Sequence, residues 1–180
     1  MVYTKTRATV EDYLKTPEGA GYQLIDGEII EMASPSSEHQ DILGYIYSEL
    51  LNRLKISKLG KVYFAPLDVF LENENVLQPD LFFIKKEKYP LIEKKGLVGI
   101  PDLIIEILSP STTYYDTKKK FNIYEKFLLK EYWLIDPEDG EVKGYFLTND
   151  KLVQKFQDNY KINSLLLNET IDFKDYNKED

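Results

Sequence analysis

The spacing of apolar and polar residues changes along the chain, and each change predicts an element. "YQLIDGEIIEM" alternates about Asp26-Gly27, which predicts a β-hairpin. His39, Ile42, Leu43, Ile46, Leu50 and Leu54 recur at helical spacing. They predict a helix of roughly five turns at 3.6 residues each. Ser34-Pro35 and Ser37 with Gln40 offer its start, and Gly60 offers its stop. Before the hairpin, Thr9 with Asp12 reads as the cap of a short helix through Leu14. Three strand-like runs follow the long helix: "KVYFAPLDVFLE", "QPDLFFI" and "PDLIIEIL". Residues 85–99 are lysine-rich and irregular. Asp116 reads as the cap of a second helix, in which Lys120, Phe121, Tyr124, Phe127 and Leu128 share one side. "EYWLID" is a further strand, and "EVKGYFLT" with "KLVQKFQ" predicts a C-terminal hairpin turning at Asn149-Asp150. The polar tail from 173 to 180 is expected to fray.

Strands flanked by helices, with no internal repeat or linker, predict one mixed α/β domain over residues 1–180. "LIIEIL" should be its central strand, because a near-continuous apolar run needs both faces covered.

Composition narrows the class. With 43% apolar and 30% charged residues, the chain fits an ordinary globular protein. No apolar run approaches the roughly 18 residues of a membrane span, so no membrane partner is expected. The first residues lack the apolar stretch of a secretory signal, and there are 0 cysteines to form disulfides or thiolate zinc sites. A cytoplasmic location is the expectation. The net charge of −8 is unevenly spread: Leu81–Lys130 holds ten Lys against six Asp and Glu, a local +4 that leaves −12 elsewhere. That excess suits either a phosphate backbone or a solvated lysine face.

One residue interrupts the pattern. Glu106 stands inside Leu103–Leu108, where burying an unpaired charge would be costly. Strand alternation puts Asp102, Ile104, Glu106 and Leu108 on one face, and Asp80 begins or sits in a neighbouring strand. Two carboxylates on adjacent strands can share one hard cation, so Mg²⁺ or Mn²⁺ is the expected cofactor. The main-chain oxygen of Ile107 is placed to add a ligand. Lys120 is the candidate to neutralise developing charge. Each has a plainer reading: local amides for Asp80, a buried lysine partner for Glu106, and an ion pair with Asp116 at i−4 for Lys120. His39, the single histidine, is a core imidazole or an active-site helper, and its neighbour Glu38 shares that second reading. Glu28 reads as a surface strand residue or an outer support of the site. Asp68 could line the same cleft, whereas Asp102 is better suited to bonding strand-edge amides. Tyr132 and Trp133 read as core.

These pieces together resemble a known family. "DGEIIEM", "SP", "EHQ", "QPDLFF", "PDLIIEILSPST", "YDTKKKF" and "EYWLIDP" occur in the order of the Uma-two family of restriction-endonuclease-like proteins, a branch of the PD-(D/E)XK nuclease superfamily. The resemblance covers about Tyr22 to Pro137. It implies a four-stranded mixed sheet core flanked by helices, a divalent metal, and phosphodiester hydrolysis on DNA. It also implies that Asp80 is the motif aspartate, Glu106 the second acid, and Lys120 the lysine, carried on the following helix. The superfamily's usual lysine position, two residues after the acid, holds Leu108. The alternative is a nuclease-fold module that binds or assembles without cutting. Glycoside hydrolysis by a carboxylate pair is weaker, lacking an aromatic sugar platform. The oligomeric state is left open, with a homodimer as one option.

Overall fold

The computed structural model describes residues 7–17 and 21–177. The chain opens with α1 (Val10–Tyr13), closed by a reciprocal capping box between Thr9 and Asp12. A hairpin follows, β1 (Tyr22–Ile25) and β2 (Glu28–Glu31). Asp26 and Gly27 at its turn have φ of 50° and 74°, the two positive values that a type I′ turn requires. Next is α2 (Ser37–Ser57), whose cap is Ser36, one residue before the expected Ser37. Its C-terminal residue in the left-handed region is Lys58. Gly60 is therefore not the helix stop. It starts β3 (Gly60–Phe64), where a Cβ would stand 2.0 Å from the Ile84 carbonyl oxygen.

The expected single run "KVYFAPLDVFLE" divides after β3. The chain leaves the strand at Ala65-Pro66 and resumes as β4 (Val69–Phe70) in a different sheet. Then come β5 (Val76–Leu77), β6 (Leu81–Lys85), β7 (Ile92–Glu93), β8 (Gly96–Val98) and β9 (Leu103–Ile107). A π-helical segment, Tyr115–Lys120, runs directly into α3 (Phe121–Lys126). The remaining strands are β10 (Glu131–Ile135), β11 (Glu141–Thr148), β12 (Lys151–Asn159), β13 (Lys161–Ser164) and β14 (Glu169–Asp172).

The main sheet has six strands in the order β12-β11-β10-β9-β6-β3. β9 and β10 run parallel, with Glu106 opposite Leu134, and the other neighbours are antiparallel. The expected C-terminal hairpin, β11 and β12, extends this sheet. A smaller sheet, β2-β1-β5-β4-β8-β7, contains the N-terminal hairpin.

Both faces of β9 are covered, which explains its apolar run. On one face, Ile42, Ile46 and Leu50 of α2 pack on Leu103, Ile105, Ile107 and Trp133, joined by Ile162, Ile171 and Phe173. On the other, Ile123 and Tyr124 of α3 join Val69 and Leu97 over Phe82, Ile104 and Tyr132. The tail is not wholly frayed: Phe173 is fully buried and the Tyr176 hydroxyl donates to Glu38, while residues 178–180 lie outside the described residues. Among the described residues, no helix is long and apolar enough to cross a membrane.

Candidate active site

β6 and β9 pair antiparallel with Leu81 opposite Ile105. One step past that pair, Asp80 and Glu106 meet on the α3 side of the sheet. Each accepts a backbone N–H from the other's strand. Glu106 Oε2 accepts from Asp80 N–H at 3.1 Å, and Asp80 Oδ2 accepts from Ile107 N–H at 2.7 Å. The first turn of α2 brings in His39, whose Nε2 lies 3.1 Å from the same Asp80 oxygen. Ser36 holds that turn by accepting the His39 N–H at 3.2 Å. Asp80 Oδ1 has no hydrogen-bond partner among the described residues, and the side chain is 20% exposed.

Lys120 enters from the helical side. Its Nζ is 3.0 Å from Glu106 Oε1 and 2.9 Å from Asp116 Oδ1. The side chains of Lys120, Glu106 and Asp116 are exposed by only 3%, 1% and 2%. Tyr124, one turn further on, donates its hydroxyl to Glu106 Oε1 at 3.0 Å. Three carboxylates thus crowd around one ammonium and one imidazole. Burial pushes the Glu106 carboxyl up to about 8, with Lys120 opposing and Asp116 and Asp80 adding to the rise. For Lys120, burial pulls the pKa down, but Asp116, Glu106 and Asp80 outweigh it and hold the amine charged. Burial also works against the His39 cation, yet the bond to Asp80 and its charge raise the imidazole pKa, with Asp116 and the Ile107 carbonyl helping.

The group opens on a cleft of about 900 Å³, lined by Ser36, Gln78, Asp80, Glu106, Asp116 and Lys120 among others. The structure therefore brings together Asp80, Glu106, Lys120 and His39. Glu38 stands at the rim, exposed, and accepts the Tyr176 hydroxyl at 3.0 Å. Ile107 reaches the acids through its N–H, while its carbonyl bears on the His39 ring. Asp68 is outside the cleft lining; it accepts from the Tyr13 hydroxyl at 2.9 Å and from Gln78 Nε2 at 2.7 Å. Glu28 lies on the exposed side of β2. Asp102 accepts the Lys85 N–H at 2.9 Å, its expected amide role, and pairs with Lys88 and Lys130 at 3.1 and 3.4 Å.

Asp116 is the correction. It is not a helix cap: it is buried inside the π-helical segment and faces the cleft. Its place four residues before Lys120, itself four before Tyr124, was the available signal.

Among the described residues, no group of three or more His, Cys, Asp or Glu side chains forms a ready-made metal cage. The donor set instead fits a hydrated hard cation, of the kind held by one or two carboxylates plus water. Asp80, whose Oδ1 has no hydrogen-bond partner among the described residues, and Glu106 are the carboxylates that would offer oxygens to such an ion.

Comparison with known proteins bears on the family and the fold. The family model described as "Uma2: Putative restriction endonuclease" matches residues 10–172. "Uncharacterized protein sll1609" of Synechocystis is 30% identical over 155 residues, covering 84% of this chain and 87% of that protein. The crystal structure of "a putative nuclease belonging to DUF820" from Anabaena variabilis matches with a TM-score of 0.68 at 24% identity, covering 84% of this chain and 83% of the other. That likeness establishes a shared restriction-endonuclease-like fold. The match over residues 10–172 settles the assignment: this chain belongs to the Uma2 family.

Proposed function

We propose that this nuclease-like protein is a divalent-metal-dependent endonuclease that hydrolyses phosphodiester bonds of DNA. The observation that carries this reading is the pairing of Asp80 with Glu106 at the floor of an open cleft, with the Lys120 ammonium 3.0 Å from Glu106. Asp80 and Glu106 would hold Mg²⁺ or Mn²⁺. Such an ion supplies an activated water and stabilises charge on a phosphoryl group. Lys120 carries a fixed positive charge into the cleft, suited to a phosphate in the transition state. His39 and the Ile107 N–H engage Asp80 Oδ2, so Oδ1 would be the oxygen left to hold such an ion. Leu108 stands where the superfamily pattern would put lysine, and the Lys120 amine approaches the same acid from the helix instead.

A second reading has its own observation. Glu106 already accepts from Lys120, Tyr124 and the Asp80 N–H, as a closed structural ion pair would. That reading is a DNA-binding or assembly module without catalysis. Supercoiled plasmid incubated with wild type and Mg²⁺ or Mn²⁺ separates the two. Nicking that Glu106→Gln abolishes and chelator stops supports the nuclease. DNA retention with neither nicking nor metal uptake supports the module.

A further inference from the structure

The Lys120 ammonium sits between two carboxylates, and the metal-binding pair needs only one of them. We propose that Asp116 is a positioning residue: a second berth that holds the Lys120 charge in the cleft while Glu106 serves a divalent cation. The inference rests on the nuclease reading of the cleft.

Four observations support it. The Nζ–Oδ1 distance to Asp116, 2.9 Å, is as short as the 3.0 Å to Glu106, so the ammonium touches both acids, although it is aligned as a hydrogen-bond donor to Glu106 alone. The Asp116 backbone is pinned on both sides: its N–H donates to Thr112 at 3.0 Å and its carbonyl accepts the Tyr132 hydroxyl at 3.0 Å. Tyr132 lies on β10, so this tie fixes the berth to the same sheet that carries Glu106. Buried Asp116 Oδ1 has no aligned hydrogen-bond donor among the described residues, and the Lys120 ammonium stands 2.9 Å from it, so its acceptor capacity is open to Lys120. The π-helical segment closes its hydrogen bonds one residue wider than an α-helix and sets Asp116 and Lys120 on the side facing the cleft.

Chemically, Lys120 and a divalent cation compete for the charge of Glu106. Without Asp116, the ammonium would remain on Glu106 and oppose the cation. With Asp116, the ammonium keeps a carboxylate partner and its place near a bound phosphate. Asp116 then favours cation binding through Lys120, without touching the cation.

Full-length wild type, Asp116→Asn, Lys120→Ala and the double variant are titrated with Mn²⁺ by calorimetry, and cleavage kinetics are measured alongside. Asp116→Asn should weaken Mn²⁺ binding about tenfold and lower kcat by a similar factor, with KM for DNA within about twofold. In the Lys120→Ala background the same substitution should shift Mn²⁺ affinity by less than about twofold. Equal loss in both backgrounds overturns the proposal, because Asp116 would then act on the cation directly. No loss in either background overturns it as well. Asp116→Glu retains the charge, so Mn²⁺ affinity should stay near wild type while the displaced ammonium lowers kcat. This variant also serves if Asp116→Asn does not fold, and wild-type kcat in it counts against the berth. Wild type that neither takes up Mn²⁺ nor cuts DNA removes the nuclease reading itself, an outcome distinct from these.

Discussion

Two glutamates on neighbouring parallel strands, Glu106 of β9 and Glu131 of β10, are each 1% exposed. Burial raises the pKa of both. They differ in company. Glu131 is held by neutral donors: Trp133 Nε1 at 2.7 Å and the Leu166 N–H at 2.9 Å. It ties the segment between β13 and β14 to the sheet and does not line the main cleft. Glu106 is surrounded by charge and opens on that cleft. A buried carboxylate is therefore not by itself a sign of chemistry. Unbalanced charge around it, at an opening, is the better sign.

The comparison can be broken most sharply by swapping each acid for its amide. Glu106→Gln should lower metal-dependent cleavage by about 10²–10³-fold or more, as loss of a preorganised charged group does. Glu131→Gln should leave kcat unchanged. A plasmid-nicking assay on both variants decides it, and equal activity in the two would erase the distinction.

The next effect is on pH. An acid whose folded pKa lies above its ordinary value favours folding while protonated and loses that contribution as pH rises. For Glu106 the window runs from the ordinary 4.5 to about 8. His39, also raised, loses its contribution in the same direction as pH rises through its folded pKa. Metal-free protein should therefore melt at lower temperature as pH rises toward 8. Mn²⁺, binding only the folded state, should restore Tm near pH 8 and do much less near pH 5. Glu106→Gln should flatten both trends, as scanning fluorimetry can show. A Mn²⁺-independent melting curve in wild type would make Glu106 as structural as Glu131.

Stability effects come next. In Glu131→Gln the single amide oxygen cannot serve both the Trp133 and Leu166 donors, and one buried unpaired donor costs about 1–3 kcal/mol. Chemical denaturation measures this. The smallest effect expected is Ser164→Ala. Its Oγ accepts the Leu167 N–H at 3.1 Å and bonds to Glu131, worth about 0.5–1.5 kcal/mol with no change in cleavage.

The same two glutamates show what the sequence can reveal. Glu106 was legible because a charge in an unbroken apolar run has no cheap explanation. Glu131 was silent because it begins its strand, where a polar residue is ordinary. Lys120 and His39 could be named from helical spacing, and Asp80 from its place at the start of a strand-like run together with the family resemblance. Asp116 was harder to read. An acid before a lysine-rich helix looks like a cap, and only the π-helical geometry and the approach of β9 turn it inward. The smaller sheet was hidden for another reason. β4, β5 and β7 have two residues each, too few to display a period of two. β13 and β14 escaped notice as well, because their apolar positions are bought by contacts with distant α2 and β11 rather than by local pattern.

The crossed pair of amide–carboxylate bonds between β6 and β9 has a kinetic consequence. Asp80 is anchored by the backbone of Ile107, and Glu106 by the backbone of Asp80. On the metal reading proposed above, both side chains are already held before an ion would arrive. The spacing of the acids is a property of two sheet strands, so it should persist whether or not an ion is bound. Ion capture would then run at the pace of water exchange and lysine movement, without a backbone rearrangement to slow it.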